Sequence, residues 1–300
     1  MRQYTKHLFT LLALIVSNVV NASSEIPDTY WTYKTIDDKD LKLSVFLPEG
    51  YAESDTPFPT FVVYHGGSWR VGTPDMHYPD CAYWASRGMI AVSVDYRLKD
   101  RDHVEVPLEC VKDAKSAIRF LRKHAESLKV DSDKLVAAGG SAGGQMAAST
   151  ALVLSDFTND ALDDLSHSAV PNAVILYNPY WETGCSPELT PPNHVTSGLP
   201  PFITFLGAKD QAIPVAGIKA FHDELQEFGN HSELHIGLEG KHGFCNGRNP
   251  NNPFFYWSLE LQDQFLVKFG ILKGEDTVER PEGVQVLQPG EDFISYQMVN

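Results

Sequence analysis

The feature that most narrows the fold of this chain is a series of short apolar runs separated by stretches of helical period. They are FVVYH (61–65), MIAVSVDY (89–96), KLVAAGG (134–140), AVILYNP (173–179), PFITFLG (201–207) and ELHIGLEG (233–240). Strands that are apolar on both faces belong to a parallel sheet covered by helices on both sides. Helices are legible between the runs. The clearest is 107–125, where Pro107 suits a first turn and Val111, Ala114, Ala117, Ile118, Leu121 and Ala125 recur at three- and four-residue spacing. Further helices are predicted over 76–87, 141–155, 215–228 and 254–269. Ahead of the series, segments 30–36 and 41–47 alternate apolar and polar residues around the turn DDKD, the pattern of an antiparallel hairpin at a sheet edge. The chain therefore predicts an α/β fold with a mostly parallel eight-stranded sheet, an antiparallel N-terminal edge, and helices on both faces.

Composition agrees with one large domain. Apolar residues make up 43% and charged residues 21% of the chain, which excludes disordered, collagen-like and coiled-coil readings. The formal charge of −15 opposes binding to nucleic acid and to an anionic bilayer, so neither is expected as a partner. Residues 1–22 read as an export signal, with basic Arg2 and Lys6, an apolar run over 8–16, and small residues Val20 and Ala22 before the expected cleavage. The apolar run is far shorter than the roughly 20 residues that span a bilayer, so no stable membrane insertion is expected. The mature chain is then secreted or periplasmic. The domain is expected over 23–270. Residues 271–300, acidic and interrupted by Pro281 and Pro289, form a C-terminal extension without a readable role.

In an oxidising compartment the four cysteines, Cys81, Cys110, Cys185 and Cys245, permit two disulfides by three connectivities. None has metal-ligand spacing, and His231 and His235 stand four apart in a predicted strand, so no metal and no cofactor is expected.

Chemistry concentrates at the ends of the strands. Gly139-Gly140-Ser141-Ala142-Gly143 is a GxSxG pattern placed directly after the apolar run KLVAA and before a helix-compatible segment. A serine on such a strand-to-helix turn is held in a strained conformation with its hydroxyl projecting, and glycines flank it where a Cβ would collide with neighbouring backbone. The helix N-terminus adds positive potential at the reacting centre. A phosphate-binding loop would need GxxxxGK[ST] or GxGxxG, and the segment has neither.

After the run FVVY comes His65-Gly66-Gly67-Ser68-Trp69. Here the sequence resembles the α/β-hydrolase superfamily, in particular the hormone-sensitive-lipase-like and acetylxylan- or feruloyl-esterase-like carboxylesterases, which carry an HGGG-type loop at this place. The resemblance covers about 29–269 and includes Asp95-Tyr96-Arg97-Leu98 and the segment 113–121, which look like framework, with a buried Arg97–Asp113 pair expected. It implies an oxyanion hole formed by the backbone N–H groups of Gly67, Ser68 and Ala142. Ser68 stands where the family pattern has its third glycine. His65 is expected to brace the loop rather than transfer protons.

Asp210 follows the run FITFL, and His242 lies in the loop after the last run. A carboxylate just past a strand end can orient a histidine, and a histidine so oriented can act as general base and then acid. The order Ser141, Asp210, His242 is the nucleophile, acid, base order of α/β hydrolases, each residue leaving its own strand on one sheet edge. Trp69, Tyr180 and Trp181 are candidate pocket aromatics, with Arg70, Asn178 and Glu182 as polar neighbours. A Cys185–Cys245 disulfide would rigidify the rim. The chain offers little material for a large apolar lid, so short acyl or aryl esters are expected, with a small-molecule or oligosaccharide ester as partner. Export points toward acetyl or feruloyl groups on polysaccharide. Triad order alone does not separate ester from amide hydrolysis. A serine peptidase or amidase of the same fold, or a non-catalytic hydrolase-like binding protein, are the alternatives, and oligomeric state is not readable.

Overall fold

A computed structural model describes residues 26–181 and 185–297. The predicted export signal and Glu182 lie outside the described residues. The N-terminal hairpin pairs β1 (Thr29–Ile36) with β2 (Lys39–Phe46) and turns at Asp37 and Asp38, both with positive φ (47° and 62°). Aspartate tolerates that region better than most residues because its short side chain bonds nearby backbone. The α/β series follows as β3 (Phe58–Tyr64), α1 (Tyr78–Ser86), β4 (Ile90–Val94), α2 (Lys99–Asp102), α3 (Leu108–Lys123), β5 (Val130–Gly140), α4 (Ala142–Leu152), β6 (Ala173–Tyr177), β7 (Phe202–Gly207), α5 (Val215–Glu227), β8 (Ser232–Gly237) and α6 (Pro253–Lys268).

These strands and one more form a single sheet in the order β1-β2-β4-β3-β5-β6-β7-β8-β9. The strands from β4 through β8 in that order run parallel, and β1 and β2 are antiparallel. Among the described residues the sheet has nine strands where eight were expected. The ninth, β9 (Phe293–Tyr296), comes from the acidic extension and pairs antiparallel with β8. Its four residues are too short and too mixed in polarity to signal a strand. They are held by pairing along β8, by Phe293 packing on Trp257 at 4.9 Å, and by a 2.7 Å bond between Ser295 Oγ and His235 Nδ1. An otherwise open edge is thereby covered.

Successive residues of the central strands feed two cores. Val62 and Tyr64 join a cluster with Val111, Ala114 and Ile118 of α3 and Met146 and Ala147 of α4. Phe61 and Val63 join the opposite cluster, with Trp84 of α1 and Phe255, Trp257 and Phe265 of α6. Each fully buried large side chain contributes about 1.5–3 kcal/mol. On α3 the stripe predicted from spacing is fully buried from Val111 to Leu121, while Asp113 beside it is also inaccessible. Asp113 accepts two bonds from the Arg97 guanidinium (2.8 and 2.7 Å), one from the Arg97 N–H (3.0 Å) and one from Lys34 Nζ (2.8 Å). That network joins β1, the chain after β4, and α3, so a buried charge is matched by charge-assisted bonds rather than left bare.

The chain leaves β3 toward β4 on one side and returns to β5 on the other. The carboxyl ends of β3 and β5 therefore flank a topological switch point, where open α/β sheets leave a crevice.

Candidate active site

Tyr64 of β3 is in register with Gly139 of β5, so the loop after β3 and the turn after β5 are neighbours at this crevice. Ser141 occupies the turn with φ 55° and ψ −118°, a conformation that costs an L-residue about 1–3 kcal/mol. It is held there by its N–H donating to the Tyr177 carbonyl (2.9 Å) and its carbonyl accepting from Tyr180 N–H (3.0 Å) and Gln145 N–H (3.2 Å). The turn is as tight as the GxSxG spacing implied. A Cβ on Gly143 would stand 1.9 Å from the Tyr64 carbonyl oxygen. Only glycine lets α4 start this close to β3. The Ala142 N–H belongs to the first turn of α4, whose donors lack intrahelical acceptors, and the helix dipole places positive potential at the same point.

The segment after β3 turns back through three successive residues with positive φ: Gly67 (119°), Ser68 (54°) and Trp69 (58°). Its own hydrogen bonds run from the Arg70 and Val71 N–H groups to the Gly67 carbonyl (3.0 and 3.1 Å), and Gly67 and Ser68 line the crevice beside Ser141. Two supports hold this strained backbone. The Trp69 indole N–H donates to Gln145 Oε1 (3.2 Å), and Gln145, fully buried on α4, donates in turn to Ser149 Oγ (3.0 Å) and the Leu189 carbonyl (2.9 Å). His65 is the second support. Its ring stacks on Tyr96 at 4.3 Å, and Tyr96 Oη donates to the His65 carbonyl (2.8 Å). Burial holds the His65 imidazolium pKa down to about 4, so the ring is neutral and braces the loop.

Asp210 and His242 come from the loops after β7 and β8. These strands end in close contact, because a Cβ on Gly207 would lie 2.3 Å from the Gly240 carbonyl oxygen. The Asp210 carboxylate is inaccessible to solvent. Its Oδ1 accepts from the N–H groups of Ala212 (2.8 Å) and Ile213 (3.1 Å), and its Oδ2 accepts from His242 Nδ1 at 2.8 Å. His242 Nε2 lies 3.0 Å from Ser141 Oγ. The buried carboxylate thus fixes the proton on Nδ1 and leaves Nε2 as acceptor for the serine proton. The structure brings Ser141, Asp210, His242, Gly67, Ser68 and Ala142 together at one place.

Two hollows meet at Ser141 and His242. The first, about 370 Å³, includes His77, Asp80, Tyr177, Asn178 and Arg248 in its lining. The second, about 710 Å³, is walled by Trp69 and Tyr180, with Arg70, Lys99 and Val106 at its margin. Trp69 and Tyr180 form one aromatic wall, ring centres 6.0 Å apart. Trp181 does not join them. It is buried edge-on against Phe221 of α5 (5.1 Å, 70°) and borders a separate hollow with Cys185, because the chain after β6 turns that side chain to the α5 face. The rim disulfide is corrected too: all four cysteines are thiols, Cys245 lines the first hollow, and Cys185 lies in the separate one. Burial pushes the Cys245 and Cys185 thiols up, which makes them poor nucleophiles.

The BD-FAE family model matches residues 43–179, a span that holds the loop after β3 and the serine turn but stops before Asp210. Esterase LipC of Mycobacterium tuberculosis is 27% identical over 218 residues, 63% of this chain and 53% of that protein. The chain spans about half the length of the first curated relatives it matches. Among solved structures, esterase 2 of Thermogutta terrifontis phosphorylated by paraoxon is 38% identical with a TM-score of 0.77, covering 82% of this chain and 96% of that one. The chain belongs to the α/β-hydrolase esterases. A propionate-bound form of the same Thermogutta protein is 37% identical, with the same TM-score and coverage.

Within this α/β hydrolase, sequence reasoning missed Gln145, His77, Asp80 and Arg248. Gln145 sits four residues beyond Ser141 on α4, and a polar residue in an otherwise apolar helix is the signal that marks it. His77 and Asp80 are i, i+3 neighbours around the start of α1 and are brought to the site only by the packing of that helix. Among the described residues no group of three or more metal-ligating side chains is assembled, and no helix is long and apolar enough to cross a membrane.

Proposed function

We propose that this chain is an exported serine carboxylesterase that cleaves short-chain acyl or aryl esters through an acyl-enzyme, with acetyl or feruloyl groups on polysaccharide as its substrates. The observation that carries the reading is the hydrogen-bonded line Asp210–His242–Ser141 ending on a serine held at a strained strand-to-helix turn. In the first half-reaction His242 Nε2 takes the hydroxyl proton while Ser141 Oγ attacks the ester carbonyl. The developing oxyanion accepts hydrogen bonds from the N–H groups of Gly67, Ser68 and Ala142, each worth about 2.7–4 kcal/mol in such sites. Collapse breaks the bond to the leaving alcohol, and the His242 imidazolium returns the proton to it. Water, deprotonated by His242, then attacks the acyl carbon and releases the carboxylic acid with Ser141 restored.

The two hollows at Ser141 accommodate the acyl and alcohol portions, and the Trp69–Tyr180 wall suits a sugar ring or an aryl group. The propionate-bound and paraoxon-phosphorylated forms of the Thermogutta esterase support a short acyl chain and a reactive serine. The test is hydrolysis of p-nitrophenyl acetate, butyrate and laurate beside acetylated xylan and methyl ferulate, by the wild type and by Ser141→Ala. The reading expects turnover of the short esters and of xylan acetate or ferulate, weak turnover of laurate, and none by the variant. Undiminished turnover by Ser141→Ala contradicts it. Export is tested separately, by N-terminal sequencing of secreted protein, with Ser23 expected as the first residue.

A further inference from the structure

The smaller hollow contains a second histidine–carboxylate pair that the proposed reaction does not use. His77 closes a short turn (Pro74–His77) ahead of α1 and is 8% exposed, with its ring stacked on Tyr177. Its Nδ1 lies 3.1 Å from Oδ2 of Asp80, which is 2% exposed. A neutral ring that donates Nδ1–H to this carboxylate carries its lone pair on Nε2. Among the described residues Nε2 makes no hydrogen bond, and it would stand 3.6 Å from a Cβ on Gly140, the residue before Ser141. Because Gly140 has no side chain, that nitrogen is open to the hollow. The His77 side chain is 11% exposed and lines the hollow, so a hydroxyl or water entering there can complete Nε2.

Resting on the esterase reading, we infer that His77 Nε2 accepts a hydrogen bond from a hydroxyl on the substrate, so the smaller hollow selects a hydroxyl-bearing group close to the scissile ester. Two sources share that chemistry: a hydroxyacyl group, or a polyol alcohol such as a sugar. Asp80 is the positioning residue that fixes the ring's tautomer. An apolar group entering the hollow would strip water from Nε2 and leave it unpaired, which is the physical basis of discrimination against substrates lacking the hydroxyl.

The test compares kcat/KM on two matched pairs: p-nitrophenyl butyrate with p-nitrophenyl 3-hydroxybutyrate, and propyl acetate with 2-hydroxyethyl acetate. The proteins are the wild type, His77→Asn and His77→Gln. Asparagine places a polar atom near Nδ1 and keeps the Asp80 contact while removing Nε2, whereas glutamine places its amide near Nε2 and gives up Asp80. Wild type should prefer the hydroxylated ester of one pair by about tenfold. Preference in the first pair assigns the hollow to the acyl group, and in the second to the alcohol. His77→Asn should lose the preference and His77→Gln should retain much of it. A purely structural role predicts the reverse order, since only His77→Asn keeps the contact with Asp80. Absence of preference in the wild type, or its survival in His77→Asn, overturns the inference while leaving the esterase reading intact. Absence of Ser141-dependent turnover of all four esters overturns the esterase reading and this inference with it.

Discussion

Replacing Asp210 by Asn tests whether the buried carboxylate acts through the histidine tautomer. In the wild type Oδ1 accepts from two backbone N–H groups and Oδ2 accepts from His242 Nδ1, so all the observed bonds place hydrogen-bond donors around an acceptor-only group. An asparagine has one oxygen and one NH2. Its oxygen is captured by the two fixed N–H groups of Ala212 and Ile213, and the NH2 therefore faces His242. Nδ1 must then become the acceptor, which moves the ring proton to Nε2 and points it at Ser141 Oγ, 3.0 Å away. A ring in that tautomer cannot take the serine proton. The expected loss in kcat is about 10⁴-fold, roughly 5 kcal/mol of barrier, with KM changed little because Asp210 lies behind His242. The assay is steady-state hydrolysis of p-nitrophenyl butyrate, with thermal unfolding to confirm that the variant is folded. A folded variant that loses less than about tenfold in kcat would refute the tautomer argument.

Three further outcomes follow from the same structure. Gln145→Leu removes the acceptor of the Trp69 indole and leaves the Leu189 carbonyl unpaired, so stability should fall by about 1–3 kcal/mol in denaturant titration and kcat should fall with it as the loop after β3 relaxes. Asp113→Ala removes the buried carboxylate on which Lys34 and Arg97 converge, leaving Lys34 only Asp160 and Arg97 only Glu109 and Asp160, and should cost about 3 kcal/mol of unfolding free energy, with no comparable effect from Asp164→Ala, whose side chain is exposed. His65 titrates near 4 when folded against 6.5 ordinarily, so the unfolded chain binds its proton first. Its contribution is complete above about pH 6.5 and fades as the pH falls through 4, on the order of 3 kcal/mol, and denaturation curves for His65→Gln should show a correspondingly flatter acid limb.

Most of the sheet was legible because its strands carry their burial in their own composition. Runs such as FVVY and LVAA are apolar on both faces, and the stripe on α3 repeats at helical spacing, so local pattern and final environment agree. The triad residues were legible for a related reason: each follows a strand, and parallel strands end on one edge. What escaped depends on contacts between distant segments. The strand Phe293–Tyr296 is stabilised by β8 and Trp257 rather than by its own pattern. Trp181 and Tyr180 are adjacent in sequence yet face opposite ways, one onto Phe221 and the other into the crevice, which is a question of side-chain direction after β6. The even cysteine count suggested cross-links, but all four are thiols, and Cys185 and Cys245 line separate hollows. His77 and Asp80 acquire meaning only when α1 brings them beside Gly140.

The most direct test of the central claim, that Ser141 is the nucleophile activated by His242 and Asp210, is peptide mapping by mass spectrometry after treatment with paraoxon. One diethylphosphoryl group per chain is expected, located on Ser141, absent from Ser141→Ala and formed far more slowly in His242→Ala. An adduct on a different residue, or an enzyme that keeps hydrolysing p-nitrophenyl butyrate with Ser141 labelled, would contradict it.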